Sequence, residues 1–131
     1  KLTTGTWVRA GNRRLEMQRR LAPLAADVIL TGSAEVVALI VPTPAAREMG
    51  AEEDGVLVGA ALGAALRDRL ADHTGGTSER VARALVLAEP PSMAEGEVTA
   101  KGNLNFRRLL ERRATLVARL GAGGPGVTEA P

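Results

Sequence analysis

The chain has 131 residues, 45% of them hydrophobic, which is enough for one domain to bury a core without disulfides or a structural metal. Seventeen Lys and Arg against fifteen Asp and Glu leave a net charge of only +2, a weak basis for binding polyanions. No Cys, a single His (His73) and two aromatics (Trp7 and Phe106) exclude a disulfide scaffold, a thiol nucleophile, a multi-His metal site and a base-stacking platform. With Lys1 at its start and no charged-then-apolar leader, the chain reads as part of a longer, cytoplasmic protein.

In chain order, Thr6-Trp-Val8 is a short extended run after a Thr-Thr-Gly turn. Residues 13–21 alternate Leu15 and Met17 with Arg, Glu and Gln, as in a short amphipathic helix that Pro23 ends. Residues 27–31 and 35–41 are β-branched runs separated by Gly32-Ser-Ala, which predicts an antiparallel hairpin with a buried second strand; Pro42 and Pro44 close it. An acidic loop with Glu52, Glu53 and Asp54 leads to a long helix expected over 56–73. Its apolar part is followed at once by Arg67, Asp68 and Arg69, short of the roughly 18 residues that cross a membrane. Gly59 and Gly63 on that helix read as a close-packing pair against a sheet. The loop 74–78 breaks the helix, residues 81–88 form a third strand, and Glu89-Pro-Pro-Ser92 closes it. A polar loop, 93–102, precedes a last helix capped by Asn103 or Asn105, with Phe106, Leu109, Leu110, Val117 and Leu120 on one side. The Gly/Pro-rich residues 121–131 are expected to be a disordered tail. The resulting fold class is α+β: a small, roughly three-stranded sheet covered by helices, with a short N-terminal turn and strand.

Few residues carry chemistry. Glu95 and Glu97 read as solvated loop acids rather than an acid/base pair. His73 suits the negative end of a helix. Gly121-Ala-Gly-Gly-Pro-Gly126 lacks the Gly-Lys-Ser/Thr ending of a phosphate loop. The arginines of the last helix, Arg107, Arg108, Arg112, Arg113 and Arg119, read as a solvated face. Lys101, between Thr99 and Gly102, is the only lysine after Lys1.

Several segments resemble a known family. Lys1-Leu-Thr-Thr-Gly-Thr-Trp-Val8 is similar to the stretch just after the interdomain hinge of AMP-forming acyl-CoA synthetases of the adenylate-forming superfamily. Leu21-Ala-Pro-Leu-Ala-Ala-Asp-Val-Ile-Leu-Thr-Gly32, Thr77-Ser-Glu-Arg-Val-Ala-Arg-Ala-Leu-Val-Leu-Ala-Glu-Pro-Pro-Ser92, and Gly96-Glu-Val-Thr-Ala-Lys-Gly-Asn-Leu-Asn105 with Leu110-Glu-Arg-Arg-Ala114 resemble its feruloyl-CoA synthetase branch. Many superfamily members carry Gly-Lys with Arg three residues on, whereas here the order is Lys101-Gly102 with Arg107 six residues on.

The resemblance implies that residues 1–120 are the C-terminal lid domain of an acid-CoA ligase whose large N-terminal adenylation domain lies outside this chain. Such an enzyme makes an acyl-adenylate from an acid and Mg-ATP, then an acyl-CoA thioester with CoA, and its lid rotates between the steps. On this resemblance Lys101 is the catalytic lysine of adenylation, Gly5 and Thr6 lie beside the CoA tunnel, and the acid is ferulate or another aromatic acid. Cofactors are ATP, CoA and Mg2+, with the metal and most ATP contacts on the N-terminal domain. The isolated lid is expected to be inactive. From the residues alone, a basic α+β binding module for nucleic acid or a protein partner is the alternative.

Overall fold

A computed structural model describes residues 17–32, 36–71, 81–124 and 126–130. Gly5, Thr6, Trp7, His73, the loop 74–78 and the start of the 13–21 helix lie outside these residues.

The helical residues 17–21 (α1) lead into β1 (Ala25–Thr31), which pairs antiparallel with β2 (Val36–Pro42) as expected, with Ile29 opposite Leu39. β2 has apolar side chains on both faces, the pattern of a strand with helices above and below. A one-turn helix, α2 (Pro44–Arg47), follows, its first turn capped by Thr43, whose Oγ1 accepts from the Ala46 amide at 3.2 Å.

The structure then departs from the expected helix over 56–73. Ala51–Glu53 (β3) and Val56–Val58 (β4) form an antiparallel hairpin, and the helix, α3 (Ala60–Ala71), begins only after Gly59. Two physical causes act together. Asp54 (φ 53°) and Gly55 (φ 81°) both take positive φ, the two-residue turn that matches strand twist, and Asp-Gly is a favoured pair for it. At the other end of the hairpin the backbones nearly touch: a Cβ on Gly59 would lie 2.5 Å from the Met49 carbonyl oxygen, and one on Gly50 2.6 Å from that of Val58. Gly59 therefore serves the base of the hairpin rather than helix packing.

β5 (Val81–Val86) lies parallel to β2 with Leu39 opposite Leu85, the crossover between them being α2, the β3–β4 hairpin and α3. Leu87 extends it by an antiparallel bridge to Val56, joining the hairpin to the main sheet.

The last helix divides into α4 (Phe106–Arg112) and α5 (Ala114–Ala122), with Arg113 (φ −107°, ψ 32°) at the joint. After residue 120 the described residues form a helix end, a turn and a short strand. Gly123 (φ 73°) caps α5 in the left-handed conformation, and the turned chain lays Thr128–Glu129 (β6) antiparallel along β5. Here Gly123 and Gly126, both at positive φ, provide turns. Among the described residues the main sheet has four strands, in the order β1-β2-β5-β6.

Burial splits the core between the two faces of this sheet. Met17 and Leu21 of α1 and Leu62, Leu66 and Leu70 of α3 pack on Val28, Ala38, Ile40 and Val86. Leu109 of α4 and Leu120 of α5 pack on Ile29, Val37, Leu39 and Leu85 opposite. The class is α+β, as the sequence indicates. No helix among the described residues is long and apolar enough to cross a membrane.

Candidate functional site

The segment 97–105, between β5 and α4, is a narrow hairpin with Lys101 at its tip. Val98 and Leu104 form an antiparallel bridge, and the Asn105 amide donates to the Glu97 carbonyl at 2.8 Å. Closer to the tip the Thr99 amide donates to the Asn103 carbonyl (2.7 Å) and the Gly102 amide to the Thr99 carbonyl (2.9 Å). Thr99 Oγ1 also accepts from the Asn103 amide at 3.2 Å. Gly102 takes φ 87°, while a Cβ there would meet nothing within 4 Å. Backbone conformation, not crowding, accounts for glycine at this position. Lys101 is exposed, and no hydrogen bond or ion pair holds its ammonium among the described residues.

The base of the hairpin is fixed differently. Glu97 is fully buried and Arg113 is 7% exposed, the two buried charged residues among those described. Glu97 Oε2 accepts from Arg113 Nε at 2.9 Å, and Oε1 accepts from Arg113 Nη2 at 2.9 Å. Oε1 also accepts from the Ser92 amide (2.9 Å), and Arg112 Nη1 lies 3.0 Å from Oε2. Arg113 uses its other donors on the Glu89 carbonyl (Nη1, 2.7 Å) and the Pro90 carbonyl (Nη2, 3.1 Å). One ion pair therefore joins the exit of β5, the loop 92–96, the hairpin and the α4/α5 joint.

Burial alone would raise the Glu97 pKa. The hydrogen bonds from Arg113 and the Ser92 amide, with the charges of Arg113 and Arg112, outweigh it and hold the carboxyl below its usual value. Glu97 is thus an ionised buried anchor, and the expectation of a solvated loop acid is corrected for it. Glu95 remains exposed, 3.7 Å from Arg112. Arg113 leaves the expected solvated face for the same reason that Glu97 does: each is the other's counter-charge. The sequence holds a signal for this. Arg113 lies four residues from both Leu109 and Val117, on the apolar stripe of the helix, where a guanidinium needs a buried partner.

Asn105 is the expected cap of α4, its Oδ1 accepting from the Arg108 amide at 3.1 Å. Arg107 and Arg108 stay on the surface, paired with Glu111 at 3.5 and 4.0 Å. Lys101 lines neither an apolar cavity of about 210 Å³ among Leu57, Val58, Leu62, Leu66, Val86 and Val127 nor one of about 160 Å³ beside Arg112 and Arg113. Among the described residues no group of three or more His, Cys, Asp and Glu could hold a metal ion.

The fold is shared with the A domain of carboxylic acid reductase. Against the A-PCP didomain of carboxylic acid reductase from Segniliparus rugosus in complex with AMP, the chain has a TM-score of 0.59 and 22% identity over 83% of its length. Against the reductase A domain from the same organism, in complex with AMP and a co-purified carboxylic acid, the values are 0.58, 20% and 82%. The chain spans 16% and 18% of those two chains, so the likeness concerns one small part of the reductase. No protein-family model matches the chain, and no curated protein matches it in sequence.

Proposed function

We propose that this chain is the lid domain of an ATP-dependent, acid-activating enzyme and that Lys101 supplies the cation for acyl-adenylate formation. The observation that carries the reading is the placement of Lys101: an unpaired ammonium at the tip of a hairpin whose base is anchored by a buried ion pair. The fold shared with a domain solved with AMP and a carboxylic acid supports it. So does the sequence resemblance to the lid of acyl-CoA synthetases.

ATP supplies the α-phosphorus, to which a carboxylate oxygen bonds as the bond to pyrophosphate breaks. An ammonium on a four-carbon stem suits such a centre, because a compact point charge can approach both carboxylate and phosphate oxygens. Lys101 has this reach, with no carboxylate among the described residues to neutralise it. Mg2+ and the acid pocket belong to the large domain of the same enzyme. The acceptor in the second step is CoA and the acid an aromatic one of the ferulate type, both on the strength of the feruloyl-CoA synthetase resemblance. Gly5 and Thr6 would face the CoA thiol in that step, Gly5 because a side chain there would narrow the approach. ATP and CoA use fits a cytoplasmic enzyme.

The test is to assay the full-length enzyme that carries this chain with ATP, CoA and a panel of aromatic and fatty acids. Acid-dependent pyrophosphate release followed by acyl-CoA supports the reading. Absence of acid-dependent pyrophosphate release across the panel, by folded enzyme, sinks it. Adenylate without thioester would retain the first step and remove CoA. The isolated chain should fold and make neither product.

A further inference from the structure

We infer that Glu97 is a positioning residue for Lys101, holding the hairpin so that its ammonium is presented in one place. The inference rests on the reading of Lys101 as the adenylation cation and adds a second residue to that site, one that touches neither acid nor nucleotide.

Lys101 has no side-chain tether of its own among the described residues, so its location follows from the backbone beneath it. That backbone closes on Glu97: its carbonyl accepts from Asn105, and Asn105 starts α4. The Glu97 side chain ties the first strand of the hairpin to fixed elements, through Arg113 to the α4/α5 joint and through Arg113 again to the end of β5. A buried ion pair is a poor way to gain stability, because taking both charges from water cancels most of their attraction. What it offers is a single geometry, since a bidentate guanidinium fork fits a carboxylate in one orientation. An apolar pair of similar volume would fill the space between β5 and α4 without fixing that orientation. At a phosphoryl centre, a displacement of about 1 Å in a catalytic group costs on the order of 10²-fold in rate. The anchor four positions before Lys101 is therefore a determinant of kcat, not only of folding.

The test has a structural arm and a kinetic arm. In the 131-residue chain, amide 15N order parameters of Thr99, Lys101, Gly102 and Asn103 should fall from the rigid range, about 0.85, to below about 0.6 in Glu97→Gln, while those of Ile40 and Leu85 hold. Glu97→Gln strands the Arg113 charge and could unfold the chain. Glu97→Met combined with Arg113→Met removes both charges, should keep the fold, and should loosen the same four amides. In the full-length enzyme with ATP and ferulate, the Met pair should cut kcat for pyrophosphate release at least tenfold while KM for ATP stays within twofold. It should cut little further in a Lys101→Ala background, because the two changes act through one group. A folded Met pair with parent order parameters at 99–103, or with parent kcat, overturns the positioning role. Lys101→Ala at the parent rate overturns instead the adenylation role of Lys101, and the order parameters then show separately whether Glu97 fixes the hairpin.

Discussion

Arg113 meets Glu97 through two parallel hydrogen bonds of 2.9 Å across sixteen residues of sequence, and both side chains are buried. Each charge is tolerable only because the other is present, which makes the consequences of removing one partner easy to state. Arg113→Ala leaves a buried carboxylate with only the Ser92 amide and Arg112, and should cost about 3–5 kcal/mol in urea unfolding. The Met pair should lie within about 2 kcal/mol of the parent by the same measurement. Equal losses for the two variants would show that volume, not charge, holds this joint.

The same pair sets an acid limit on stability. The Glu97 pKa is lowered on folding from its usual 4.5, so the unfolded chain binds the proton more readily than the folded one. Its contribution is fully present above pH 4.5 and is lost as pH falls through the lower folded value. The facing charges are Arg112 and Arg113, with Glu95 beside Arg112. Unfolding free energy should therefore decline below about pH 4.5, and Glu97→Gln should flatten the part of that decline due to this group. Parallel pH profiles for the parent and Glu97→Gln would contradict the assignment.

At the other end of the fold, the close approach of Gly59 to the Met49 carbonyl gives a sharper expectation than helix propensity does. Alanine in place of glycine inside a helix stabilises by about 0.5–1 kcal/mol. At Gly59 it should destabilise instead, since the obstacle at 2.5 Å is backbone and cannot swing aside. Gly121→Ala in α5, with nothing within 4 Å, serves as the control and should be neutral or stabilising. Thermal melts of the two variants decide between these signs.

Core truncation should follow burial. Leu85, fully buried between β2 and the α4–α5 layer, should lose about 2–5 kcal/mol on change to Ala. Met93, 60% exposed in the loop before Glu97, should lose less than about 0.5 kcal/mol. Similar losses at the two positions, read from denaturant midpoints, would contradict the two-faced core described above.

Much of this architecture is legible in the sequence where period and composition agree. The run Val36-Val-Ala-Leu-Ile-Val41 is apolar at every position, so it reads as a central strand, and its hairpin with β1 follows from the short Gly32-containing break. Asn105 before an apolar helical stripe reads as a cap and is one. The β3–β4 hairpin is missed because Val56-Leu-Val58 runs without a polar break into the Ala-rich helix, although Asp54-Gly55 signals a tight turn. β6 is missed because glycine-rich composition looks the same whether it leaves a chain free or turns it back onto an edge strand. Of the candidate site, the polar loop that carries Lys101 is legible. The Glu97–Arg113 anchor is not, because a helix periodicity read from sequence carries no information about which distant carboxylate meets a charge on its apolar stripe.

The central claim is that Lys101 serves adenylation alone, and single-turnover kinetics on the full-length enzyme test it most directly. Lys101→Ala, whose side chain is exposed and whose loss leaves the hairpin bonds intact, should fold as the parent does. Its rate of acyl-adenylate formation should fall by about 10²–10³, the typical loss for one well-placed donor at a centre of developing charge. Given preformed acyl-adenylate and CoA, the same variant should yield acyl-CoA at close to the parent rate. Adenylation within about threefold of the parent, a barrier change of only ~0.65 kcal/mol, would contradict the assignment of Lys101.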